Sequence, residues 1–166
     1  MTRTTRTGSM AAAGATALLL TLTTACGAAH QGDVQPDAVE KKAHTLTQQT
    51  LDALHPTLGT PKTTIYSDAW SKCTTETPGQ HRFEYDYALK LVVSRSQVQP
   101  AVAAARAYFA RQHYEPHYTS APDLHAGATL PKSSWTVDLS RDTTTTVVVD
   151  ADSDCVFTRH DPKASS

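Results

Sequence analysis

His113 and His117 flank Tyr114-Glu115-Pro116, and a spacing of four is the one that places two zinc-binding histidines on one helix face. Pro116 opposes that arrangement. The residue before a proline is pushed out of helical geometry, so His117 should fall beyond the helix end, and no third ligand has an obvious position. His113 is then expected as a solvated side chain near a helix carboxyl terminus, where its charge suits the helix dipole. The run Asp150-Ala151-Asp152-Ser153-Asp154 alternates carboxylates as the first, third and fifth ligands of a calcium loop do. Its sixth position is Cys155 instead of glycine and its twelfth is Asp161 instead of glutamate, so the EF-hand pattern fails at two defining places. An acidic turn that stays hydrated and discourages edge pairing is the expectation there.

Glu84 and Asp86 lie two apart in a strand-like run, about 7 Å from each other on one face by strand geometry. Paired carboxylates can do acid–base work, but on a wet strand face they are expected as solvated charge. The sequence contains neither a GxSxG elbow nor an SxxK motif. No catalytic residue, metal set or cofactor is therefore expected. Tyr66 and Trp70 fall on one face of a predicted strand and, with Tyr114 and Tyr118, could line a cleft; packing into the core is the simpler expectation.

The elements that would carry these residues follow from periodicity. Pro36 and Asp37 open a helical stripe of Val39, Ala43, Leu46, Thr50 and Leu54, expected to end at His55-Pro56. A strand is predicted over Thr64 to Cys73, followed by a turn at Thr77-Pro78-Gly79-Gln80. Phe83, Tyr85, Tyr87, Leu89, Leu91 and Val93 then alternate with Arg82, Glu84, Asp86 and Lys90, which requires one buried and one wet face and hence an antiparallel sheet. Ser94 to Tyr114 reads as a second helix, with Ser96 and Gln99 as a capping box and Val98, Val102, Ala105 and Phe109 inward. Residues 116–132 read as a loop with room for one short strand. Strands around Trp135, Val137 and Leu139, over Thr143 to Val149, and over Cys155 to Phe157 complete the pattern. The sum is an α+β domain of two layers, an antiparallel sheet with two helices packed on one face.

At 166 residues the chain allows one ordinary domain, and 39% hydrophobic with 19% charged residues suffices for a core. Residues 1–25 hold Arg3 and Arg6 and no acid, then an apolar stretch over Ala11 to Leu22 that is too short to span a bilayer. Without them the net charge moves from −1 to −3. No Lys/Arg cluster is present, so nucleic acid is excluded as an expected partner. No twin-arginine pair is present either, which leaves the general secretory route. Leu22-Thr23-Thr24-Ala25-Cys26-Gly27 resembles the lipobox of bacterial lipoproteins, and the layout resembles the small, mostly uncharacterised lipoproteins of actinobacteria.

That resemblance implies a signal peptide over 1–25, lipid on Cys26, a lipidated tether over 26–35, one domain over 36–158 and a polar tail over 159–166. It also implies attachment to the outer face of the cell membrane through two or three acyl chains, enough for stable anchoring. Cys73 and Cys155 remain as an even pair in an oxidising compartment. Bridged, they would close a loop of about 82 residues, worth about 4 kcal/mol in the chain-entropy model; unpaired buried thiols are the alternative. The expected function is a non-enzymatic binding or envelope-interaction module with an unidentified protein or small-molecule ligand. A small secreted hydrolase or metal-dependent enzyme, and an inhibitor or immunity-type protein, are the alternatives.

Mass spectrometry of the mature protein should find Cys26 at the N-terminus carrying diacylglyceryl. A free amine on any other first residue refutes the anchor.

Overall fold

Val39, Ala43, Leu46, Thr50 and Leu54 are all buried, and they line the inner side of helix α1, Pro36–Leu58. The computed structural model describes residues 34–73, 82–117, 121–158 and 161–162. The signal, Cys26, the 77–80 turn, Tyr118 and most of the tether and tail lie outside the described residues. The helix runs past His55-Pro56. Pro56 lies inside the helix and removes the bond its own N–H would have made. Burial of Leu58, with the Gly59 N–H bonded to the His55 carbonyl at 2.8 Å, holds the last turn.

Strands β1 (Lys62–Lys72) and β2 (Arg82–Val92) form a hairpin-like antiparallel pair. A bulge at Tyr66, between the Ile65–Leu89 and Ser67–Ala88 partners, shifts the register. One extra residue reverses the parity of everything after it. Tyr66 and Trp70 therefore do not share a face, contrary to the sequence expectation. Trp70 is buried against Tyr85, ring centroids 5.1 Å apart, and donates from Nε1 to Glu40 at 2.8 Å. Tyr66 is exposed on the other face, under the Lys90 ammonium.

A 3₁₀ turn, Arg95–Gln97, leads into helix α2, Val98–Arg111. The capping box is Ser94 with Gln97, two residues earlier than the Ser96 and Gln99 expected. The four inward residues of the stripe, Val98, Val102, Ala105 and Phe109, are buried as expected. The helix stops at Arg111, before Tyr114. His113 takes a left-handed φ of 59°, the His113 N–H bonds the Ala110 carbonyl, and the Tyr114 N–H bonds the Phe109 carbonyl. This is a Schellman ending, and its customary apolar contact is the stacked Phe109–Tyr114 pair.

The segment expected as a loop holds two strands, β3 (Glu115–His117) and β4 (His125–Thr129). Pro116 is tolerated because β3 is an edge strand. Strands β5 (Thr136–Arg141) and β6 (Thr146–Asp152) follow, with β6 starting and ending three residues later than predicted. The short β7 (Val156–Phe157) pairs with the start of β2. The sheet is antiparallel throughout, ordered β1-β2-β6-β5-β4-β3, with both helices on one face. The fold is thus α+β in two layers. Cys73 and Cys155 are joined, their Cα atoms 6.2 Å apart, tying the end of β1 to the turn before β7.

A left-handed non-glycine residue costs about 1 kcal/mol or more, which glycine avoids. His113→Gly should therefore raise stability to denaturant by about 1 kcal/mol. A loss instead would mean that this helix ending is not as described.

Candidate functional site

Strand parity decides what the uncovered face of the sheet displays. On β6, Val147, Val149 and Ala151 are buried beneath the helices, so Asp150 and Asp152 point the other way. On β5, Val137 and Leu139 are buried and Asp138 is turned out with them. Asp138 pairs in register with Asp150, and Asp86 of β2 with Asp152. Four carboxylates from three neighbouring strands thus meet at the middle of the open face, and oxygens of Asp138, Asp150 and Asp152 lie within 4.8 Å of one another. The expected acidic turn is therefore corrected: Asp150 and Asp152 are half-buried residues of an interior strand.

β4 brings a histidine to this cluster. His125 Nε2 and Asp138 Oδ1 share a hydrogen bond of 2.5 Å. His125 Nδ1 is buried and has no partner among the described residues. Gly127 lies beneath the pair. A Cβ there would sit 2.1 Å from Asp138 Oδ1 and 2.7 Å from His125 Cε1, so only glycine leaves the two side chains room to close over the strand.

Burial and mutual repulsion dominate the electrostatics. Asp150 is pushed up to about 8, first by desolvation and then by the charges of Asp138, Asp152 and Asp86. Asp152 rises to about 6 by desolvation and by Asp86 and Asp138, and the Thr136 hydroxyl that donates to it offsets only part of this. Asp138 is raised by burial, with His125 and His117 pulling the other way. Lys90, on the same face, is engaged elsewhere. Its ammonium pairs with Asp142 at 3.0 Å and stands 4.4 Å above the Tyr66 ring.

His113 and His117, weighed as a pair from the sequence, are separated: His113 ends α2, while His117 sits on β3 with Nε2 3.0 Å from Thr129 Oγ1. Glu84 and Asp86 do share a face, but Glu84 is exposed and accepts from Ser71, whereas Asp86 belongs to the cluster. Asp154 leaves the group to accept the Ser134 N–H at 2.5 Å. His125 and Asp138 carried no motif. Their signal was parity alone, an aspartate between two buried residues of a strand and a histidine beside a glycine.

In chemical terms the site offers several carboxylate oxygens, one imidazole and no fixed counter-cation among the described residues. Such a donor set suits a hard cation, with the histidine as a direct ligand or as support for Asp138.

The raised acids fix the sign of a pH dependence. Above about pH 4 the folded protein holds protons that the unfolded chain has released, on Asp152 up to about pH 6 and on Asp150 up to about pH 8. Stability should therefore fall as pH rises through that window in cation-free buffer. Asp150→Asn should raise the unfolding free energy at pH 8, by an amount on the order of a few kcal/mol, and have little effect near pH 4. A variant less stable than the parent at pH 8 contradicts this. No family model, curated protein or solved structure matches the chain, and the functional reading rests on the placement of these side chains.

Proposed function

We propose that the protein is a non-enzymatic binding module, held to the outer face of the membrane by lipid on Cys26, that takes a cation on the open face of its sheet. The single observation that carries the binding half is the gathering of Asp86, Asp138, Asp150 and Asp152 at the half-buried centre of a face that neither helix covers. Carboxylates crowded this way cost folding free energy unless they are protonated or neutralised by a ligand. A domain built only for packing would place apolar or hydroxyl side chains there. His125 and the glycine under it add a second sign that the arrangement is built: the ring is clamped to Asp138 with its other nitrogen buried.

The anchoring half is supported by the lipobox-like segment, the polar stretch after it and a cysteine pair bonded in the domain. No described helix is long and apolar enough to cross a membrane. A domain on a lipid tether would present its open face to whatever cation or cationic group reaches the envelope.

Calorimetry and thermal melts at pH 7.5 with calcium, magnesium, manganese, zinc and spermidine test the binding half. At least one cation should stabilise the protein, by about 2.7 kcal/mol at a hundred times its Kd, with release of protons. Asp138→Asn and Asp150→Asn should abolish most of that gain, and Gly127→Ala should weaken it by driving His125 and Asp138 apart. If none of the five cations moves the melt or releases protons, the cation-binding reading fails.

A further inference from the structure

β4 carries a second peculiarity, on the side facing the helices. Ala126 and Ala128 are buried there, beside Leu139 and Val137 of β5 in register. Where β5 fills the space beneath α2 with leucine and valine, β4 supplies only methyl groups. The missing volume appears as a cavity of about 360 Å³ between the end of α2 and the β3–β4 pair. That lies at the small end of the range of about 300–1,000 Å³ usual for ligand pockets.

The cavity is polarised. Ala126, Ala128 and Phe109 make its buried end, with Tyr114 alongside, its ring stacked on Phe109. Arg106 and His117, both exposed, stand at its mouth. The Arg106 guanidinium is fixed there by bonds from Nη2 to the Pro122 carbonyl and, at 3.1 Å, to the His125 carbonyl. No carboxylate is among the lining residues, although acids outnumber Lys and Arg in the chain, 16 to 15. Tyr114 adds no negative charge at neutral pH, since a phenol is protonated there and burial pushes its hydroxyl further up.

We propose that this cavity binds a small amphiphilic carboxylic acid, one acyl or aryl body with a single carboxylate. The apolar body occupies the space above Ala126 and Ala128, and the carboxylate meets the positive charge of the Arg106 guanidinium through Nη1, because the Nη2 hydrogens go to the Pro122 and His125 carbonyls. The size admits one short chain or one ring and excludes a folded peptide. His117, His125 and Gly127 border both the cavity and the acidic cluster, but Arg106, Ala126 and Ala128 belong to the cavity alone, so variants there test it independently of the cation site.

Photolabelling tests this on the full-length, membrane-anchored protein, with diazirine-bearing octanoic acid as probe and peptide mapping as readout. Labels should concentrate on the last two turns of α2 and on β4, and free octanoate should displace them. Octanol, which has the chain without the charge, should need about tenfold more for the same displacement. Arg106→Gln should raise the octanoate concentration for half-displacement about tenfold, while Arg106→Lys retains most of the affinity. Ala128→Leu should remove the labels by filling the cavity, with a cooperative circular-dichroism melt showing that the variant is folded. Should that variant unfold, octanol and the Arg106 pair still decide. Labels spread outside these elements, equal competition by octanol, or an unchanged Arg106→Gln would each overturn the proposal.

Discussion

The parity of β6 is the constraint on which the rest of the molecule depends. It is an interior strand, bonded to β2 on one side and β5 on the other, so every second residue must go under the helices. Val147, Val149 and Ala151 do so and are fully buried. Once they are committed, Asp150 and Asp152 have no choice of face. A slip by one residue would drive both acids into the apolar layer against Leu46, Leu54 and Val102, at a cost far above that of crowding them on the open side. The same hydrophobic demand that builds the core therefore assembles the acidic cluster. The register with β5 and β2 then brings Asp138 and Asp86 beside them.

That inheritance explains why the cluster persists despite its electrostatic cost. Its members come from three strands whose positions are set by burial elsewhere, so no single side chain can withdraw without breaking a ladder. The chain answers locally instead. Thr136 donates to Asp152, and His125 closes on Asp138 over a glycine that makes room. Among the described residues it supplies no committed cation, since Lys90 is drawn off to Asp142 and Tyr66. The remaining mismatch is met by protons at low pH and, in the proposed function, by a bound cation at higher pH.

Much of the fold was legible because its signal is periodic. The stripes of both helices and the alternation of β2 depend on one residue type at fixed spacing, and every inward residue named for the helices is buried. What sequence reasoning missed depends on partners distant in the chain. The bulge at Tyr66 leaves no mark in the pattern of β1, yet it moves Trp70 into the core and Tyr66 out of it. β3 and β4 are too short and too poor in branched residues to register as strands, and Pro116 argues against one unless the strand is known to lie at an edge. Asp150 and Asp152 were visible as an alternating pair. Reading them as a turn placed the end of β6 three residues early, and that single boundary concealed the site.

β4 shows how one short segment can serve two surfaces. Its alternation is between residues that do almost nothing sterically and residues that do a great deal: Ala126 and Ala128 inward, His125 and Gly127 outward. Small inward residues give up packing against α2, which lowers the contribution of this corner to stability and opens the cavity. The outward glycine gives up a side chain so that Asp138 and His125 can meet. Both sacrifices fall on five residues at the thin end of the sheet, next to the edge strand and farthest from the disulfide at the β1–β7 end. The disulfide cross-links the β1–β7 end, and at the other end small residues leave the space and charge from which the two proposed sites are built.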